Sequence, residues 1–335
     1  MIIFLLTLSS FLAIYIINKN RKKIANISKL IDRPDKIRKL HKKSTPLLGG
    51  IMIFSSTLLT SLYLFFFQEL AQTYLIIFGC ATCCLLLGLI DDIKKVSYKY
   101  KFIILTIIFY FFTSLEPNLI INKIFSSTLN KVFILNHLSI PFTIFCLLLL
   151  TNALNLIDGI DGLCILISTI LILWLMITFQ NINLIYIIIT LSLIYIFYLN
   201  LKKNIFLGDS GSLFLGCLIG LNIIYHYNLE ILKINYSIEN IFIALMLPGL
   251  DMLRVCLIRI FNKKNPFTPD RLHLHHLLRD KGLNEIYILT IFFFLISIPI
   301  ILNLYINSIT LYIILFYIFF YTIVVCKIKK TINNN

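Results

Sequence analysis

The sequence predicts an all-α, polytopic membrane protein with about 11 transmembrane helices, its N-terminus outside and its C-terminus in the cytoplasm. Three observations carry that expectation. The chain is 59% hydrophobic and 13% charged over 335 residues, whereas soluble domains carry about a quarter charged residues. Apolar runs close to the roughly 20 residues that a spanning helix needs recur from one end to the other. Basic residues, finally, gather on alternate loops. No soluble core has the volume to bury so many apolar helices.

In chain order the expected spans are Ile2–Ile17, Leu47–Phe67, Thr73–Ile90, Phe102–Leu115, Leu138–Leu156, Leu163–Phe179, Leu184–Leu199, Leu213–Tyr225, Ile238–Ile258, Ile286–Tyr305 and Ile309–Cys326. The first has no basic leader and no small-residue cleavage site, and its positive charge follows it. It is therefore expected to be a retained span rather than a signal peptide. The spans beginning at Phe102 and Leu213 are the shortest. The outer stretch 118–136 is either a small hairpin or a loop. Cys80, Cys83 and Cys84 have no further ligand types near them in sequence, so they read as small packing residues rather than a zinc site.

All but three of the 30 lysines and arginines (Lys123, Lys131 and Lys233) fall on one set of alternating loops. The positive-inside rule makes those loops cytoplasmic. The net charge of +15 then follows from topology and an anionic inner leaflet, with no nucleic-acid partner. The acidic residues segregate too. Asp32, Asp35, Asp91, Asp92, Asp158, Asp161, Asp209, Asp251, Asp270 and Asp280 lie on the cytoplasmic side, while Glu69, Glu116, Glu230 and Glu239 lie on the other. A one-sided cluster of short carboxylates at a membrane border points to a cation-dependent site. The chain reads as one domain, 1–335, with cytoplasmic segments at 18–46, 91–101, 157–162, 200–212 and 259–285.

Four of these segments carry chemistry. In Gly88–Lys95 a helix runs into the adjacent pair Asp91 and Asp92, which need a positive partner beside hydrocarbon. In Asn152–Gly162, Asn155, Asp158 and Asp161 recur at three-residue spacing, an oxygen set that suits Mg²⁺. In Phe206–Ser212, small residues open a helix whose start favours an anion. Asp209 there makes sense as a ligand of a metal bridging to a phosphate, and Phe206 offers a face for a base. The segment Pro269–His276 clusters Arg271, His273, His275 and His276, a cationic patch suited to a pyrophosphate, with Arg271 as the bidentate donor. Together they describe metal-assisted phosphoryl chemistry at a membrane interface.

In this order and spacing, and with Asp32 to Gly50 before them, the segments resemble the polyprenyl-phosphate N-acetylhexosamine-1-phosphate transferases, the family containing WecA, TagO and MraY. The resemblance implies transfer of a HexNAc 1-phosphate from a UDP-sugar to undecaprenyl phosphate in a bacterial inner membrane, with release of UMP. It implies Mg²⁺, or Mn²⁺ in its place. It makes Asp91 the base on the lipid phosphate, Asp92 its support and Lys95 a phosphate holder. Asp209 with Asn155 would hold the metal, Asp158 and Asp161 would line the nucleotide side, and Phe206 would stack on uracil. Arg271, His273, His275 and His276 would grip the pyrophosphate or sugar. The pattern Asp270-Arg-Leu-His-Leu-His-His276 is similar to the WecA branch, which uses UDP-GlcNAc or a related sugar, rather than the three consecutive histidines of MraY. The stretch from Asn200 to Phe206 is one residue shorter than the family pattern. Expected partners are the two substrates and the bilayer, with a homodimer as an assembly option. The alternatives are an MraY-type phospho-MurNAc-pentapeptide transferase and, from another class, a transporter. A transporter would place charges at mid-membrane and show internal repeats.

Overall fold

The computed structural model describes residues 2–33, 44–67, 72–179, 184–230, 236–265, 271–306 and 309–333. Thirteen helices run through them: α1 (Ile2–Lys19), α2 (Arg21–Ser28), α3 (Gly49–Phe67), α4 (Gln72–Lys94), α5 (Tyr98–Leu115), α6 (Ser139–Ile157), α7 (Leu163–Thr178), α8 (Leu184–Leu201), α9 (Gly208–Glu230), α10 (Ile238–Phe261), α11 (Leu274–Asp280), α12 (Glu285–Tyr305) and α13 (Thr310–Asn333). Eight are long and apolar enough to cross a membrane, and α1, α3 and α7 contain shorter apolar stretches. Each of the eleven expected spans coincides with one of these helices. The two short ones grow at their polar ends. α5 starts at Tyr98, and α9 starts at Gly208, which puts Asp209 inside a helix rather than on a loop before one.

The core is built around α9. Of its apolar window 83% is buried, against 17% for α5 and 28% for α13. Small residues make that centrality possible, since close helix approach inside a membrane depends on them. A Cβ on Gly216 would lie 2.7 Å from Thr151 Cα of α6, and one on Gly211 would meet Gly50 N of α3 at 3.1 Å. The peripheral helices turn large apolar side chains outward, among them Ile107, Phe111, Phe316 and Phe319. That is the surface a lipid-facing helix presents. The most extensive helix pair is α4 with α9. Within it Cys217 Sγ lies 3.5 Å from Cys80 Sγ, and Cys84 completes a buried trio. The third thiol comes from a helix far off in sequence, which is why the cysteine spacing did not announce it.

Two short sheets decorate the ends. β1 (Ile31–Asp32) pairs antiparallel with β2 (Thr45–Pro46), and β3 (Lys123–Ser126) pairs antiparallel with β4 (Lys131–Ile134). The second pair makes the outer stretch a hairpin. Glu239, at the start of α10, pins it: Oε1 accepts from Ser126 Oγ at 2.5 Å and Thr128 Oγ1 at 2.8 Å, and Oε2 from Ser127 N at 3.1 Å.

Candidate active site

The ends of α4, α6 and α8, the start of α9 and the segment carrying α11 meet around one cavity of about 700 Å³. On its α4–α9 side Asp92 ties the two helices together. Its carboxylate accepts from Asp209 N at 2.9 Å and Ser210 N at 3.1 Å. The first amides of α9 are thus filled by a carboxylate of the protein itself, which corrects the expectation that this helix start binds a ligand anion. The contact needs glycines on both sides. A Cβ on Gly88 would sit 2.4 Å from Ser210 Cα, and one on Gly208, whose φ is +76°, would sit 2.7 Å from Asp92 Oδ2.

Beside that junction Asp91 and Asp209 share Lys101. Its Nζ forms an ion pair with Asp91 Oδ2 and lies 3.2 Å from Asp209 Oδ2. Asp91 Oδ1 also accepts from Val96 N at 2.6 Å. Asn155 donates Nδ2 to Asp209 Oδ1 at 2.7 Å and to Ser212 Oγ at 2.9 Å. Asn155 thus orients the Asp209 carboxylate with its amide nitrogen. Lys101 was missed in the sequence reading. Its signal is there, however: a lysine in the first turn of a spanning helix opposes the helix dipole and calls for an anion.

The second wall begins where α6 stops. Helical geometry ends at Ile157, so Asp161 does not continue the face shared by Asn155 and Asp158. Burial pushes the Asp158 carboxyl above the ordinary carboxylate range, and the charges of Asp209, Asp92 and Asp161 add to it. Burial and then Glu285 raise Asp161, against the pull of Lys203. Lys203 Nζ lies 3.6 Å from Asp161 and 3.5 Å from Glu285, and Glu285 in turn lies 3.5 Å from Arg279. Lys203, Glu285 and Arg279 line the cavity, as do Lys29, Asp32 and Arg33. Lys29, Lys203, Arg279 and Glu285 carried no role in the sequence reading.

The histidine segment divides. Arg271 and His276 line the cavity, Arg271 paired with Asp280. Burial lowers His276 to about 4, with the Arg271 charge adding, so the ring stays neutral at working pH. His273 and His275 do not line the cavity wall, which corrects their expected place against substrate. His273 Nδ1 lies 2.8 Å from Asp251 Oδ2 inside the bundle. His275 is wholly buried behind Gly159, where a Cβ would fall 2.6 Å from its Nε2. His273 is drawn inward by Asp251 of α10, and His275 lies on α11, which packs on α12 and α13. Phe206 lines the opposite side, its backbone held by Phe206 N donating to Pro46 O at 2.8 Å and Gly49 N donating to Phe206 O at 3.0 Å. Lys95 closes α4 with φ +50° and faces the cavity. Pro34, Asp35, Arg38, His41, Pro269 and Asp270 lie outside the described residues.

Among the described residues, the one group of three Cys, His, Asp or Glu ligand atoms within 4.8 Å is the cysteine trio in the bundle core. The described residues of the cavity therefore form no ready-made cage of carboxylates. The cavity has hard oxygen donors on adjoining elements, which is the donor set of an ion completed by substrate phosphates.

A family model described as Glycosyl transferase family 4 matches residues 74–227. A relative from Bacillus subtilis (strain 168), named probable undecaprenyl-phosphate N-acetylglucosaminyl 1-phosphate transferase, is 33% identical over 285 residues, covering 82% of this chain and 77% of its own. The chain belongs to glycosyltransferase family 4. Two further relatives are each named undecaprenyl-phosphate alpha-N-acetylglucosaminyl 1-phosphate transferase. The one from Escherichia coli (strain K12) is 26% identical over 278 residues, covering 78% of this chain and 72% of its own. The one from Thermotoga maritima is 29% identical over 258 residues, covering 77% and 75%. In this family 4 member the matched stretch runs from α4 to α9 and holds Asp91, Asp92, Asn155, Asp158, Asp161, Phe206 and Asp209. The segment with Arg271 and His276 lies beyond it.

Proposed function

We propose that the protein transfers N-acetylglucosamine 1-phosphate from UDP-GlcNAc to undecaprenyl phosphate at the cytoplasmic face of a bacterial inner membrane, releasing UMP. The observation that carries this reading is the sharing of Lys101 by Asp91 and Asp209, on two helices that Asp92 locks together. A cation-seeking pair of carboxylates at the mouth of a polar cavity, inside an apolar bundle, suits a reaction between a soluble diphosphate and a lipid phosphate.

In the reaction an oxygen of the lipid phosphate attacks the sugar-bearing phosphorus of UDP-GlcNAc. A new P–O–P link forms and the bond to UMP breaks. Asp91 takes the proton from the attacking phosphate, and Lys101 and Lys95 hold its charge. Asp209 would hold Mg²⁺, or Mn²⁺ in its place, which would supply positive charge to neutralise the diphosphate. Asn155 keeps Asp209 turned toward that position. Arg271 and the neutral His276 receive the diphosphate and sugar, and Phe206 takes the base. The relatives' names supply the sugar and the lipid; the cavity supplies the reason that charge is handled at this end of the bundle.

UMP release by the purified chain in detergent tests the reading, with undecaprenyl phosphate, Mg²⁺ and either UDP-GlcNAc, UDP-GalNAc or UDP-MurNAc-pentapeptide. Turnover with UDP-GlcNAc that EDTA abolishes is the expected result. Turnover with the pentapeptide substrate alone overturns the sugar assignment. Absence of turnover from folded protein with every donor overturns the transferase reading.

A further inference from the structure

Arg271 and His276 reach the cavity from a segment that no spanning helix carries, and α11 has only seven residues. A helix so short has no stability of its own, so its position depends on what grips it. The grip comes from α10. Asp251 is 2% exposed. Its Oδ2 accepts from His273 Nδ1 at 2.8 Å, and its Oδ1 from Leu274 N at 3.0 Å and from Tyr321 OH of α13 at 2.7 Å. Arg254, one turn further along α10, donates Nη2 to Asp251 Oδ1 at 2.8 Å and to the Leu272 carbonyl at 2.6 Å. Its Nε donates to Tyr321 OH at 2.9 Å. One carboxylate–guanidinium pair therefore holds three consecutive residues, 272–274, between Arg271 and His276, both of which line the cavity.

The chemistry of the grip is directional. A carboxylate only accepts, so His273 carries its proton on Nδ1, and ring and tautomer are set together. The same carboxylate takes the first amide of α11, supplying a cap that the His273 side chain does not. A half-buried arginine needs an acid, and Asp251 meets that need as well. Neutralising Arg254 alone, however, requires no contact with residues 272–274. Among the described residues, the pair's hydrogen bonds go to His273, Leu274, Leu272 and Tyr321, on the side of the bundle that carries α11 and α13.

We propose that Asp251, with Arg254, is a positioning residue for the nucleotide-sugar wall. It fixes where Arg271 and His276 stand, and so sets the affinity for the diphosphate end of the donor while leaving the lipid-phosphate side unchanged. The substrate half of this inference rests on the transferase reading above.

The test uses the full chain in detergent and the variants Asp251→Asn, Asp251→Glu and Tyr321→Phe. Hydrogen exchange, measured without substrate, should quicken about tenfold or more at residues 271–280 in Asp251→Asn and stay unchanged elsewhere. In the same variant KM for UDP-GlcNAc should rise about tenfold or more, with KM for undecaprenyl phosphate unmoved. Asp251→Glu should restore part of both. Tyr321→Phe should give a smaller change of the same kind, and it keeps the test decisive if Asp251→Asn fails to accumulate. A loss of active protein with both KM values unchanged would mean a purely structural ion pair and overturns the proposal. Unchanged exchange at 271–280 overturns the grip itself. A wild-type chain that folds but releases no UMP sinks the transferase reading and the KM claim with it, while exchange still judges the grip alone.

Discussion

At the hairpin end of the bundle Glu239 accepts from three hydroxyls and two backbone amides, all neutral donors supplied by one turn of chain. At the cavity end Asp91 and Asp209 divide a single lysine, and Asp158 lies close enough to Asp209, Asp92 and Asp161 to feel their charge. Both ends take carboxylates out of water. One satisfies its carboxylate completely and gains a fixed hairpin. The other gathers Asp91, Asp209 and Asp158 beside an open volume, with one lysine shared by the first two, an arrangement of hard oxygen donors that suits a cation. How a buried acid is satisfied separates architecture from chemistry in this molecule better than burial alone.

Substitutions can break or sharpen that contrast. The largest effect is expected from Asp209→Asn, with kcat for UMP release falling about 10³-fold while the melting temperature holds. Lys101→Met should cost about 10²-fold in kcat through loss of the charge between Asp91 and Asp209. Gly88→Ala forces α4 away from the α9 backbone and should destabilise the protein by about 1–3 kcal/mol in denaturant titration. Glu239→Gln should cost about 1–3 kcal/mol of stability with kcat of the folded fraction unchanged. A Glu239→Gln protein that melts normally and yet does not turn over would remove the distinction between the two ends.

The smallest effect concerns Asp158. Its folded-state pKa is raised by burial and by neighbouring carboxylates, so the native protein keeps a proton that the unfolded chain releases near its ordinary value of about 4. Stability is then lost as pH rises from that value through the raised one. Asp158→Asn should therefore melt higher than wild type at about pH 8 and converge on it at about pH 4. A constant gap across that range would show that Asp158 titrates alike in the folded and unfolded chain and overturn the raised value.

Much of this was legible in the residues. Spans announce themselves by length and hydropathy, and the Asp91–Asp92 pair, Asp158, Asp161 and Asp209 stand out because carboxylates are costly beside hydrocarbon. What stayed hidden depends on pairs distant in sequence. Lys101 meets Asp209 from 108 positions away and Ser126 meets Glu239 from 113, and nothing local to either member names the other. Helix starts were read too late for the same reason: Gly208 opens α9 because Asp92, from another helix, accepts from its first amides. His273 and His275 misled because a cluster of histidines looks alike whether it faces substrate or is turned inward.

The glycine contact between α4 and α9 has a mechanical meaning. Where backbone lies against backbone, as Gly88 lies against Ser210, no rotamer stands between the two helices to take up strain. Bilayers differ in thickness by a few ångströms, and spanning helices answer by tilting. The peripheral helices α5 and α13 are lightly buried and meet the bundle largely through side chains such as Lys101 and Tyr321. The α4–α9 pair behaves instead as a single rigid post, so the distance between Asp91 and Asp209 is insulated from the membrane around it. A reaction that must align two phosphates within tenths of an ångström can then proceed unchanged while the lipid composition of its host varies.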